Sequence, residues 1–163
     1  MKVHGAWKRI VLAFTLAIAM AAGAFAPAPA FLDKTRFLAH LGVAYFAFHH
    51  WVMKPYEQGA FANGAPHRTA ALVKGGVALL FAMHEVKVSE KIAQHSKDPL
   101  LQKLDAGLAG LTGSFASIGQ RMKSGQWNPQ DATALDQQTT QIKSNAASNG
   151  MNIKDVPATI PGT

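Results

Sequence analysis

A chain of 163 residues with 48% hydrophobic and 15% charged side chains carries enough apolar material for one globular domain and is not disordered by composition. It contains no cysteine, which excludes thiol catalysis, cysteine-ligated clusters and a lipid-modified N-terminal cysteine. The net charge of +7 is partly a property of one end, where Lys2, Lys8 and Arg9 lie; later lysines such as Lys74, Lys87, Lys103 and Lys143 are dispersed among acids, and without a clustered phosphate-facing patch no nucleic-acid partner is expected.

The first segment, residues 1–30, has the layout of a secretory signal peptide. Lys2, Lys8 and Arg9 form the positive region, Ile10 to Ala22 the apolar region, and small residues follow. Cleavage is expected near residue 24 or residue 30, at Ala22-Gly23-Ala24 or Ala28-Pro29-Ala30; the intermediate Ala24-Phe25-Ala26 would leave Pro27 at the new N-terminus. The sequence therefore divides into a signal peptide (1–30), a helical domain (31–150) and a C-terminal tail (151–163), and the product is expected to be exported: secreted, periplasmic or associated with the cell envelope.

The first helix is expected over Phe37 to Met53. It is apolar on every face, as a central bundle helix or a membrane-inserted one would be. Lys54-Pro55 should end it, because a residue before proline is pushed out of the helical region. His49 and His50 then fall in its last turns, where imidazoles can meet unsatisfied carbonyls. Residues 55–66, PYEQGAFANGAP, read as a loop with Asn63-Gly64 as its turn signal.

A second helix is expected from Arg68 to His95. Ala71, Gly75, Ala78 and Ala82 form a flat stripe on it. Glycines 75 and 76 each cost about 1 kcal/mol relative to alanine, so a closely approaching helix is the expected compensation.

Asp98-Pro99 opens a third helix, with Asp98 as N-cap. Leu101, Leu104, Leu108, Leu111, Phe115, Ile118 and Met122 follow a/d spacing, the best periodicity in the chain. Gly107, Gly110 and Gly113 are expected to open a groove for a neighbouring backbone. Asn128-Pro129 repeats the opening device for a fourth helix over residues 130–148, ended by Asn149-Gly150. The tail should be extended and docked by Ile153 and Val156. No stretch alternates as a strand would. The expected fold class is all-α: a four-helix antiparallel bundle behind a signal peptide, with an extended C-terminal tail.

Two segments, 37–53 and 70–83, also permit a membrane-associated helical protein anchored through them. As helices they span about 25 Å and about 20 Å, short of the roughly 30 Å hydrocarbon core. His40, His49, His50 and Lys74 are costs that a lipid-facing helix avoids.

Chemistry-bearing clusters are sparse. No histidines stand three or four apart on one helix, as a metal site on a single helix requires. An inter-helix site from His50, or His40, with His84 and Glu85 is the remaining metal candidate, and a histidine-ligated haem is its variant; neither a metal nor any other cofactor is expected. Carboxylates form no catalytic pair, and no serine sits in a nucleophile elbow. The loop is the richer feature: Trp51, Tyr56 and Phe61 are candidates for partner contact, or else seal the end of the helices. The expectation is a non-enzymatic exported protein that binds an unidentified protein or envelope component through a helical surface.

Overall fold

A computed structural model describes residues 29–163. Residues 1–28 of the expected signal segment, with its first cleavage site, lie outside the described residues. Within them the chain is all-helical, with four long helices and no strand. They are α1 (Pro29–Phe48), α2 (Arg68–His95), α3 (Pro99–Lys123) and α4 (Pro129–Ala147).

The starts of α3 and α4 are those expected from local chemistry. The Asp98 side chain accepts from the Leu100 N–H at 2.8 Å, and Asn128 accepts from that of Gln130 at 3.1 Å, each immediately before a proline. At the end of α3, Gly125 takes φ +78°, and the N–H groups of Gly125 and Gln126 reach back to the Met122 and Arg121 carbonyls. Gly150 closes α4 in the same way, at φ +75°. Both are left-handed glycine caps that satisfy the final carbonyls of a helix.

The first helix departs from expectation at both ends. It is already helical at Pro29, the first described residue, ahead of the expected Phe37, and does not stop at Lys54-Pro55. After Phe48 it widens into a π-turn, His49–Met53, and then completes another turn, Lys54–Glu57. The Lys54 N–H donates to the His49 carbonyl, five residues back. Pro55 has no N–H for the Trp51 carbonyl, and in an α-helix its ring would press against that oxygen. The wider π-turn lets the helix accommodate the proline. His49 and His50 are therefore interior to a helical run and do not terminate it.

The core is built from the inward stripes of all four helices. Phe37, Leu41, Tyr45 and Phe48 of α1 are fully buried, as are Leu72, Leu79 and Val86 of α2. All seven a/d residues of α3 are buried, and Leu135, Ile142 and Ala146 represent α4. α2 packs on α3 and α1, and α4 lies on α3. α2 is the one described helix long and apolar enough to cross a membrane by length and composition, while its Leu72, Ala78, Leu79 and Ala82 are turned into this core.

The glycines of α2 do meet a partner backbone. A Cβ on Gly76 would lie 2.7 Å from the Gly119 carbonyl oxygen and 2.7 Å from the Lys123 nitrogen, and one on Gly75 would lie 3.1 Å from the Trp51 oxygen. The expected groove along α3 is different: Gly107, Gly110 and Gly113 are exposed, and nothing lies within 4 Å of a Cβ placed on the latter two. Close approach uses Gly119, on the a/d side of the same helix.

The tail carries no regular secondary structure over residues 151–159. Met151, Ile153 and Ile160 are buried, and the Val156 N–H donates to the Gly42 carbonyl at 3.0 Å. Ile153 docks as expected. The Val156 side chain stays 38% exposed, and Ile160 supplies the second buried anchor instead.

Candidate functional site

The segment after the π-turn and the linker after α3 come together and form an aromatic cleft. Phe61, 2% exposed, stands edge-on to Trp127 with ring centroids 4.8 Å apart. Tyr56 meets the same indole at 5.7 Å, its ring inclined by 58°. Such tilted pairs are favoured because the positive edge of one ring meets the negative face of another. The cleft they border has a volume of about 250 Å³, and Arg68, Asn63 and Gly59 complete its polar side.

Each wall is placed by a local device. Tyr56 rides on the helical turn that the π-turn makes possible. Gly125 reverses the chain so that Trp127 falls directly before the Asn128 cap. Arg68 is the first residue of α2, preceded by His67 at φ +56°, a left-handed conformation uncommon outside glycine. Arg68 Nε donates to the Phe61 carbonyl at 3.0 Å, which ties the start of α2 to the loop. Among the described residues no carboxylate forms an ion pair with Arg68. The first turn of α2 also carries neither an acidic residue nor a side-chain cap, so the positive end of its dipole adds to the guanidinium charge.

The three partner-contact candidates divide. Tyr56 lines the cleft and is half-buried. Phe61 lines it too and is buried in the hydrophobic core. Trp51 does not line the cleft; it is half-buried with Lys74 Nζ 5.9 Å from its ring centroid. Sequence reading missed Trp127 and Arg68. The available signal was topological: if successive helices alternate in direction, the first and third connections meet at one end.

Of the candidate metal ligands, His40 and Glu85 come together, with Nδ1 2.7 Å from Oε2, and the others stay apart. His50 stacks on Phe46 at 5.1 Å and meets Trp51 edge-on, while His84 is exposed. His49 pairs with Asp155 of the tail at 2.7 Å, and His95 donates to the Lys91 carbonyl at 2.8 Å. Among the described residues no three His, Cys, Asp or Glu side chains are placed to share a metal ion.

Among the described residues two ionisable groups have displaced protonation equilibria, and both belong to the scaffold. Burial, with Asp155 adding to it, pushes the Tyr45 phenol well above the usual tyrosine range; its hydroxyl donates to the Thr139 carbonyl at 2.8 Å. The hydrogen bond from Lys34, seconded by the Leu100 N–H, holds the Asp98 carboxyl below the usual carboxylate range.

Compared with known proteins, the chain matches no family model, and neither a curated protein nor a solved structure is significantly similar to it.

Proposed function

We propose that this is an exported, non-enzymatic binding protein that engages a protein or cell-envelope component through the aromatic end of an antiparallel four-helix bundle. Short connections and successive packing of α1 on α2, α2 on α3 and α3 on α4 support the bundle arrangement. The charged and apolar layout of residues 1–30 supports export behind a signal peptide.

The observation that carries the binding reading is the cleft itself. It places three aromatic rings and an arginine without a carboxylate partner around one open space, the residue types that dominate recognition sites. The inward turn of the apolar faces of 37–53 and 70–83 favours this over anchoring through those segments.

Cell fractionation with N-terminal sequencing of the processed chain tests export. Binding is tested by challenging the immobilised protein with envelope extract beside Tyr56→Ser and Trp127→Ser variants. A component retained by the native protein and lost from both variants is the expected result. Retention indifferent to both substitutions rejects the cleft as the site.

A further inference from the structure

Resting on that reading, we infer that the cleft takes the C-terminal residue of a peptide, with an apolar or aromatic side chain against Tyr56 and Trp127 and its free carboxylate on Arg68. Size sets the first limit. At about 250 Å³ the space lies below the roughly 300–1,000 Å³ typical of drug-sized ligands, so it suits one ring-bearing residue and not a nucleotide or porphyrin.

Charge sets the second. One cationic side chain borders the cleft, and the N-terminus of α2 reinforces it without an acidic residue to offset it. With Nε held by the Phe61 carbonyl, the terminal nitrogens of the guanidinium remain to receive both oxygens of a carboxylate. Arginine keeps this charge at every physiological pH.

What borders the cleft also selects against free amino acids. No aspartate or glutamate lines it, so an α-ammonium group would enter without a counter-charge. The amine of the bound residue must be acylated, as it is at the end of a peptide. Asn63 and the Gly59 backbone, both bordering the cleft, supply the polar groups suited to a peptide bond.

The test uses acetyl-glycyl-glycyl-phenylalanine, its C-terminal amide and free phenylalanine, titrated into the full chain while the Trp127 indole resonance is followed by NMR. That resonance is assigned by its absence in a Trp127→Phe variant. Saturable binding of the acid is expected, with the amide and the free amino acid each at least about tenfold weaker, a difference of about 1.4 kcal/mol. In Arg68→Gln the acid and the amide should become equivalent.

Equal binding of acid and amide to the native protein, or no response to the acid, overturns this ligand assignment, and because that comparison needs no substitution it survives a misfolded Arg68→Gln. If envelope capture still depends on Tyr56 and Trp127, the assignment fails alone. If capture ignores both residues, the binding reading fails first.

Discussion

The carbonyl oxygen of Lys154 fills the space that a Cβ on Gly42 would need, so the C-terminal tail lies against the bare backbone of α1. The Val156 Cγ2 atom would also stand 2.7 Å from that Cβ. The oxygen belongs to backbone and cannot rotate away. Gly42→Ala should therefore cost about 1–3 kcal/mol from overpacking, partly offset by about 1 kcal/mol of helix propensity. Thermal unfolding measures the loss. Faster proteolysis within residues 151–163 than in the native chain identifies the tail as what moves.

Gly76 and Gly110 should respond with signs opposite to each other. Gly76→Ala drives a methyl group into the Gly119 carbonyl and the Lys123 nitrogen, and a destabilisation of about 1–3 kcal/mol is expected. Gly110→Ala meets nothing within 4 Å on an exposed face and should stabilise by about 1 kcal/mol. Chemical denaturation of both variants decides the pair, and equal effects would contradict the packing of α2 on α3.

The amount of structure legible in the sequence follows this same distinction. The boundaries of α2, the N-caps Asp98 and Asn128 and the seven-residue stripe of α3 are local or periodic signals, and they were readable. Which glycines meet a backbone was readable on α2, where Gly75 and Gly76 interrupt its apolar first half. It was misread on α3, because Gly107, Gly110 and Gly113 form the more regular series while the single Gly119 makes the contact. The passage of α1 through Pro55 was hidden for a related reason: the proline rule holds for α winding, and a π-turn relaxes it. The cleft was half legible, since Tyr56 and Phe61 announce themselves in one segment while Trp127 and Arg68 join them only through the fold.

Tyr45 should make the protein sensitive to alkali. Its phenol ionises at higher pH in the folded chain than the unfolded value of about 10. The stabilisation linked to the neutral hydroxyl is complete below that unfolded value and is lost as pH rises through the folded one. Melting temperature should thus fall above about pH 10, and Tyr45→Phe should flatten that decline. At neutral pH the same substitution removes the bond to Thr139 and should cost about 1 kcal/mol.

At the other extreme the sensitive group is Asp98, which caps α3 and binds Lys34 of α1 at 2.9 Å. Its folded carboxyl ionises below the unfolded value of about 3.9, so its contribution is present above that value and disappears as pH falls through the folded one. Asp98→Ala should lower stability at pH 7 by about 0.5–2 kcal/mol, the worth of an N-cap. It should also reduce the acid dependence of unfolding between about pH 2 and pH 5. Lys34→Ala should cost less, about 1 kcal/mol or below, because the lysine side chain is 37% exposed.

The π-turn at His49–Met53 acts as one surplus residue in the helical count, and it fixes the azimuth of everything beyond it. Ordinary α winding of the same residues, with none removed, would turn the following segment by about 100° around the axis. Phe48 would keep its seat in the core, while Tyr56 would swing away from Trp127. The turn thus separates folding from recognition: with α winding through this point the upstream core would stay as it is, yet the cleft would lose one wall.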